Sequence, residues 1–205
     1  MLDWAILRSL RTSLHGVYIR GSLPDGPFVL ATNHHSFFDG YFVYLLVRER
    51  KGHLLISKEN LEAFPFFRTL GALSVEEIRT AIKLLAAGEP VAIFPEGELR
   101  PQGALGEFKR GAVFLAQKAN VPLIPAAFRV FVRGFERPEG YINIGLPVPC
   151  DLKVLAEELQ RLLSELDFLY QTTHPREPFP DFQLLLPGHR GIDEKIFRFK
   201  RRFSL

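Results

Sequence analysis

The string NHHSFFD at residues 33–39 contains the side chains with the clearest capacity for chemistry. An aspartate that accepts a hydrogen bond from one imidazole nitrogen fixes the tautomer of the ring and leaves the other nitrogen free to take up a proton. His34 and Asp39 are five residues apart, so on one continuous helix they would point about 140° apart. They can meet only if His34 lies in a loop and Asp39 lies in the first turn of the next helix.

The same string permits two other interpretations. Ser36 and Asp39 form the pattern Ser-x-x-Asp, which is typical of a helix start and would give both residues a structural role. His34, His35 and Asp39 could instead bind a metal ion, although no fourth ligand is evident. The sequence has no GxSxG elbow that would supply an enzyme nucleophile. A His–Asp pair without such a nucleophile favours a reaction in which a substrate hydroxyl attacks an acyl carbonyl while the histidine takes the hydroxyl proton.

A second group of polar residues follows the apolar run at 91–94. Glu96 and Gly97 come next, and Arg100 and Lys109 are close in sequence. A glycine permits close approach of a ligand to the backbone, a carboxylate can bind a substrate hydroxyl, and basic side chains suit a phosphate. An ordinary charged surface turn is the alternative interpretation.

Short apolar runs alternate with helical patterns along the chain. We expect strands at 28–32, 53–57, 91–94, 122–128 and 141–146, because these runs are short and mostly β-branched or aromatic. We expect helices at 36–50, 76–88, 107–120 and 152–170, where the apolar periodicity is helical. This alternation predicts an α/β fold, a single domain with a mainly parallel twisted sheet flanked by helices. Active sites of such sheets lie at the carboxyl ends of the strands, where both polar groups are found.

The two ends of the chain are basic and amphipathic. Residues 2–14 predict an amphipathic helix, which could lie on a membrane interface or pack on the core. Residues 189–205 contain six basic and two acidic residues, in a chain whose net charge is +3. Such a segment attracts lipid headgroups or nucleic acid, unless it is simply a solvated tail. The Pro-rich stretch at 173–182 is expected to be extended or irregular.

Composition narrows the cellular setting. The single cysteine, Cys150, excludes an internal disulfide framework and favours a reducing compartment. The chain has no apolar run near the ~20 residues that a spanning helix needs, and we find no signal peptide. We therefore expect a cytoplasmic protein.

Three motifs occur together in one order. Asn33-His34 and Asp39 match NHxxxxD, FPEG at 94–97 follows, and VPLIP is found at 121–125. Over about residues 15–150 the chain resembles the glycerolipid acyltransferase family, whose best-known members acylate 1-acyl-glycerol-3-phosphate. The resemblance implies a glycerol-3-phosphate acyltransferase-like fold with an N-terminal helix and lead-in at 1–20, an acyltransferase domain at 21–170 and a Pro-rich, basic tail at 171–205.

The resemblance also implies roles for the matching residues. His34 would be the general base and Asp39 would orient it. The residues expected to bind substrate are Asn33, Lys58, Arg79, Glu96, Gly97, Arg100 and Lys109. The donor would be acyl-CoA or acyl carrier protein, and the acceptor a lysophospholipid. The enzyme would need no metal or cofactor and would bind the inner face of the membrane peripherally, with no nucleic acid partner. The side chains expected either to line an acyl slot or to belong to the core are Phe37, Phe38, Tyr41 and Phe42.

Two positions depart from the family pattern. Glu77 stands where the family commonly has an arginine, with Arg79 as its candidate replacement. Leu99 stands directly after the FPEG-type motif where the family has another arginine, and Arg100 is one residue later. Both arginines are associated with the acceptor phosphate, so a different lipid acceptor is a rival hypothesis. A non-catalytic lipid-binding module is another, and a nucleic-acid binder is a third that rests on the basic tail alone.

Overall fold

The computed structural model describes residues 2–196. Eight strands form one sheet in the order β4-β3-β5-β2-β6-β7-β1-β8. In chain order the strands are β1 (Gly16–Arg20), β2 (Val29–Thr32), β3 (His53–Ile56), β4 (Ala72–Ser74), β5 (Val91–Ile93), β6 (Leu123–Phe131), β7 (Glu139–Ile144) and β8 (Gln183–Pro187). The helices are α1 (Leu2–Ser13), α2 (Asp39–Val47), α3 (Lys58–Ala63), α4 (Ile78–Ala86), α5 (Gly111–Ala119) and α6 (Leu152–Thr172).

The sheet is mainly parallel, as the sequence predicts. Only the pairs β6–β7 and β1–β8 are antiparallel among the pairs of the described sheet. The central strands β5, β2 and β6 run parallel to one another. The carboxyl ends of these three strands therefore lie next to one another, and the loops after β2 and β5 are neighbours there.

Helices cover both faces of the sheet because successive strand residues point to opposite sides. Leu30 of β2 packs with α1 and α2, through side chains such as Leu10 and Phe42. Val29 and Ala31 face the other way and pack with α4, α5 and the first half of α6. The central strands are thus buried on both faces, which is why they are almost entirely apolar.

Strands from both ends of the chain, outside the predicted boundaries at residues 20 and 170, contribute to the same sheet. β1 lies before the first boundary and β8 after the second, yet they pair with each other and β1 also pairs with β7. Helix α1 packs on the core through Ile6 and Leu10. The segment between α6 and β8 is largely irregular, as its prolines predict.

Three strands and one helix were absent from the sequence prediction. β1 and β8 are at one end of the sheet and β4 is the opposite edge, and all three have only three to five residues. Helix α3 has six residues and is followed by the 3₁₀ helix Pro65–Leu70. Elements this short carry too few residues for a periodic pattern to identify. No helix within residues 2–196 is long and apolar enough to cross a bilayer.

Candidate active site

The loop after β2 is fixed by the side chain of Asn33. β6 is longer than β2, so the backbone of Phe128 extends beyond the last residue of its neighbour. The Asn33 amide substitutes for the missing strand: its Oδ1 accepts from the Phe128 amide at 2.7 Å and its Nδ2 donates to the Phe128 carbonyl at 3.0 Å. Both partners are buried, where an unpaired backbone group would be costly. Asn33 is fully buried and bound to β6, so its position does not support the predicted contact with a substrate.

The structure brings His34 and Asp39 together as the loop–helix geometry requires. α2 begins at Asp39, whose Oδ2 lies 3.2 Å from Nδ1 of His34. The same oxygen accepts from the backbone amides of His35 at 2.7 Å and Ser36 at 2.8 Å. Asp39 therefore combines the two roles that the sequence left open, because it both organises the helix start and contacts the imidazole. Ser36 Oγ accepts from the Phe38 amide.

The ring of His34 has a defined orientation. A carboxylate can only accept, so Nδ1 of His34 carries the proton shared with Asp39 and Nε2 keeps its lone pair. The ring stacks on Phe94, which follows β5, with centroids 4.2 Å apart and planes 14° apart. The side chain is 25% exposed. The His34 ring is thus fixed in orientation by Asp39 and Phe94 and is partly accessible to solvent.

Glu96 is buried and holds the other side of this loop. Its Oε2 accepts from the backbone amide of His34 at 3.1 Å, and its Oε1 accepts from that of Gly106 at 2.9 Å. Burial alone would raise the pKa of Glu96, but contact with His35 and the hydrogen bonds from these two amides outweigh it and keep the pKa below the ordinary value of 4.5. The carboxylate is charged and committed to the protein itself, so its position does not support the predicted contact with a substrate hydroxyl.

The basic residues near Glu96 lie at the surface of the loop. Lys109 packs over Gly97, where an added Cβ would lie 2.7 Å from its Nζ. Gly97 also has a φ of 73°, a left-handed conformation that glycine tolerates best. The backbone amide of Arg100 donates to the His34 carbonyl at 2.8 Å, and its side chain pairs with Glu98. Gly97, Arg100 and Lys109 are therefore grouped beside the dyad.

An apolar cavity of about 480 Å³ opens beside His34. Its lining comes from α2, from the segment that includes α3 and the following 3₁₀ helix, and from the loop after β5; examples are Tyr41, Phe64, Phe67 and Leu99. The four aromatic residues singled out in the sequence do not all line this cavity. Phe37 and Tyr41 line the cavity, Phe42 is fully buried in the core, and Phe38 is partly buried against it.

Two of the predicted binding residues, Lys58 and Arg79, do not line the cavity beside His34. Lys58 lines a second cavity, also of about 480 Å³, where it approaches Glu76 to 3.6 Å. Glu77, at the position of the family's arginine, faces the same cavity and pairs with Arg68 at 3.1 Å. Arg79 is exposed on α4, and it forms no ion pair within the part of the chain that the structure describes.

Sequence reasoning missed Arg129 and treated His35 only as a metal-ligand candidate. Both are buried, and Arg129 Nη1 lies 2.6 Å from Nδ1 of His35. The guanidinium excludes a metal cation from that nitrogen, and within residues 2–196 no three His, Cys, Asp or Glu side chains are grouped so that they could hold one. The arrangement therefore does not support the metal hypothesis. Nothing in the sequence pairs positions 35 and 129. The available signal was an arginine within the otherwise apolar run of β6, which indicates a buried partner for its charge.

Comparisons with known proteins agree with this architecture. The family model described as Acyltransferase matches residues 16–129. A 1-acyl-sn-glycerol-3-phosphate acyltransferase from Bacillus subtilis is 33% identical over 186 residues, which cover 79% of this chain and 92% of that protein. The chloroplastic enzyme of the same name, BAT2, from Brassica napus is 31% identical over 114 residues, and this chain spans only 32% of its length.

A solved structure shares the fold. The crystal structure of the 1-acyl-sn-glycerophosphate (LPA) acyltransferase PlsC from Thermotoga maritima superposes with a TM-score of 0.60 at 24% identity, covering 74% of this chain and 72% of that one. The family match covers more than half of the chain, and the relative from Bacillus is matched along almost its whole length. The chain therefore belongs to the Acyltransferase family and is an O-acyltransferase.

Proposed function

We propose that this enzyme transfers a fatty acyl group from a thioester donor, acyl-CoA or acyl carrier protein, to the free hydroxyl of 1-acyl-sn-glycerol-3-phosphate. The observation that carries the proposal is the His34–Asp39 pair, 3.2 Å apart, whose histidine lines an apolar cavity. The curated relatives named for this acceptor support the same choice.

In the proposed reaction His34 moves one proton twice. Its Nε2 takes the proton of the acceptor hydroxyl as that oxygen attacks the thioester carbonyl carbon. Asp39 stabilises the imidazolium that forms. The tetrahedral intermediate then breaks its C–S bond, and the imidazolium returns the proton to the departing sulfur. The products are the new ester and a free thiol, and the enzyme returns to its starting state.

Backbone amides after β5 are the candidates to stabilise the oxyanion. The Gly97 amide already donates to the Phe94 carbonyl, and the Arg100 amide donates to the His34 carbonyl. Within residues 2–196, the amides of Glu98 and Leu99 donate to no other group. Free donors fixed in a turn cost little reorganisation when charge develops on the carbonyl oxygen.

The cavity supports binding of the acyl chain. Its lining is mostly aliphatic and aromatic, and its volume is within the usual range of ligand sites, about 300–1,000 Å³. Arg100 and Lys109, beside Gly97, are the basic residues that we assign to the acceptor phosphate. Lys58 lines the other cavity, so we do not assign it to the acceptor phosphate beside Gly97.

We further propose peripheral attachment to a membrane through the apolar rim of the cavity. Phe37 is 71% exposed and Leu99 is 59% exposed, although both also line the cavity wall. Exposed aromatic and aliphatic side chains around an opening are suited to a lipid surface. Helix α1 contributes the exposed Trp4. Residues 197–205, which hold four of the six basic residues of the segment 189–205, lie outside the described residues, so the predicted role of the basic tail stays a prediction.

A donor–acceptor screen with purified protein tests the proposal. We expect turnover of a long-chain thioester with 1-acyl-sn-glycerol-3-phosphate, and loss of turnover in His34→Ala. His189→Ala is a matched control, because His189 is another partly exposed histidine beside a carboxylate, Glu136. Retention of wild-type turnover in His34→Ala would contradict the mechanism.

A second acceptor class is favoured by one observation. Glu77, at the position where the family commonly has an arginine, forms an ion pair with Arg68 in the second cavity, and the pair carries no net charge. A lipid acceptor without a terminal phosphate monoester would fit such a couple better. If the enzyme acylates a glycolipid or aminolipid hydroxyl and leaves 1-acyl-sn-glycerol-3-phosphate unchanged, this alternative replaces the first.

A further inference from the structure

His35 is a buried polar residue that the proposed reaction does not use. Its Nδ1 lies 2.6 Å from Arg129 Nη1, and its Nε2 lies 3.5 Å from Glu96 Oε1. The imidazole therefore lies between a buried guanidinium and the buried carboxylate that holds the His34 amide. This arrangement links the general base to β6 through side chains.

The contacts of His35 define its tautomer. A guanidinium can only donate hydrogen bonds, so Nδ1 of His35 must accept and carries no proton. The ring proton is then on Nε2, where it faces Glu96 Oε1. One nitrogen thus accepts from the cation and the other presents a donor to the anion. Protonation of Nδ1 would place two donors against each other, so this orientation has a single compatible tautomer.

Arg129 is itself held by Asp167 and Gly103, on the side of the guanidinium away from His35. Its Nε and Nη2 lie 2.9 Å and 3.1 Å from the two carboxylate oxygens of Asp167 on α6, and Nη2 also donates to the Gly103 carbonyl at 3.2 Å. A two-point pair between arginine and carboxylate fixes the plane of the guanidinium. Asp167 is 41% exposed and can be changed without opening the core.

We propose that His35 is a positioning residue, and that Asp167, Arg129 and His35 form a chain that holds the Glu96 carboxylate against the backbone amide of His34. The inference rests on the proposed function for its kinetic consequence. Without the chain, Glu96 keeps its two backbone partners but loses the side chain that restrains its position. The loop bearing the base then becomes looser, and a small misplacement of a catalytic group is costly.

Kinetics test this chain with two variants and matched controls. We expect Asp167→Asn and His35→Leu to lower kcat by between about ten-fold and a hundred-fold while KM stays within about two-fold. Glu165→Gln is the control for the first, because Glu165 is on the same helix and pairs with Arg161 and Arg20. His35→Gln keeps a side-chain donor that can face Glu96 and should recover part of the loss in His35→Leu. Wild-type kcat in both Asp167→Asn and His35→Leu would overturn the inference.

Two spectroscopic readouts do not depend on activity. Nitrogen NMR of the folded wild-type protein should show His35 with its proton on Nε2, and Asp167→Asn should perturb that signal while Glu165→Gln leaves it unchanged. Hydrogen exchange at the His34 amide should be faster in His35→Leu than in wild type. A ring proton on Nδ1, or unchanged exchange, contradicts the chain even if the enzyme proves to have another substrate. If the wild type turns over no donor–acceptor pair, the proposed function fails while these readouts still test the chain.

Discussion

Oδ2 of Asp39 contacts Nδ1 of His34 and, at shorter distances, the backbone amides of His35 and Ser36. One oxygen atom therefore positions both the imidazole and the loop that carries it. The other oxygen, Oδ1, is buried and has no hydrogen-bond partner within residues 2–196. The aspartate is thus bound on one side only, and its single engaged oxygen determines the orientation of the base.

Asp39→Asn should abolish most of the activity while the protein stays folded. An asparagine oxygen in the position of Oδ2 can still accept from the ring and from the loop amides, but the neutral amide no longer supplies the negative charge that stabilises the imidazolium. In a comparable His–Asp pair this change lowers kcat by about 10⁴-fold, and we expect a loss of about 10³–10⁴-fold here. Steady-state kinetics at saturating donor and acceptor measure it.

The matched control for that variant is Asp151→Asn. Asp151 is the N-cap of α6 and accepts from the amides of Lys153 and Val154, remote from the dyad in sequence. It should lose no more than about 1 kcal/mol of stability and keep its kcat. A similar kcat for Asp39→Asn and wild type would remove Asp39 from the mechanism.

Glu96 should make the stability of the enzyme depend on pH in the acid range. Its folded-state pKa lies below the ordinary value of 4.5, because hydrogen bonds to the charged form outweigh burial. A group with a lowered pKa contributes stability at pH values above 4.5, and that contribution is lost as pH falls through the folded-state pKa. Glu96→Gln should therefore be less stable than wild type at neutral pH, and the difference should shrink on acidification.

Thermal unfolding of both proteins across pH 3–7 measures this effect, over an interval chosen to bracket the ordinary value of about 4.5. Glu98→Gln serves as the control, since Glu98 is exposed on the same loop and pairs with Arg100. Parallel curves for wild type and Glu96→Gln would show that the buried carboxylate does not contribute through its charge.

The sequence predicted the parts of the molecule that have strong local patterns. The central strands were identified because they are continuous apolar runs, and the meeting of His34 with Asp39 followed from their spacing and from the strand–loop–helix order. The short edge strands β4 and β8 were missed because three to five residues show no clear period. The sequence predicted that Glu96 binds substrate. Its burial and its two backbone partners could not be predicted, because they depend on a loop fold that no local pattern reveals.

Filling the apolar cavity should shorten the acyl chains that the enzyme accepts. Gly40, in the first turn of α2, lines the cavity, and a Cβ added there would meet nothing within 4 Å. Gly40→Leu should place its side chain into this space and lower kcat/KM for long-chain donors more than for short-chain donors. Competition between thioesters of different chain length measures the shift.

Helix propensity makes this test easier to interpret. Gly to Leu within a helix removes a penalty of up to about 1 kcal/mol, so lost activity would not reflect unfolding. Gly26→Leu adds the same side chain in open space outside the cavity and should leave the preference unchanged. An unaltered chain-length profile for Gly40→Leu would mean that the acyl group binds elsewhere.

Gly97→Ala should impair both stability and activity, and Gly88→Ala separates the two effects. Both glycines have positive φ, 73° and 92°, so an alanine at either position costs about 1–2 kcal/mol of backbone strain. At Gly88 the new methyl group meets nothing, whereas at Gly97 it would collide with the Lys109 side chain. We expect similar losses of thermal stability in the two variants and a raised KM for the acceptor only in Gly97→Ala, because only there is a proposed phosphate ligand displaced. Equal acceptor KM values for Gly97→Ala, Gly88→Ala and wild type would show that Lys109 does not bind the phosphate.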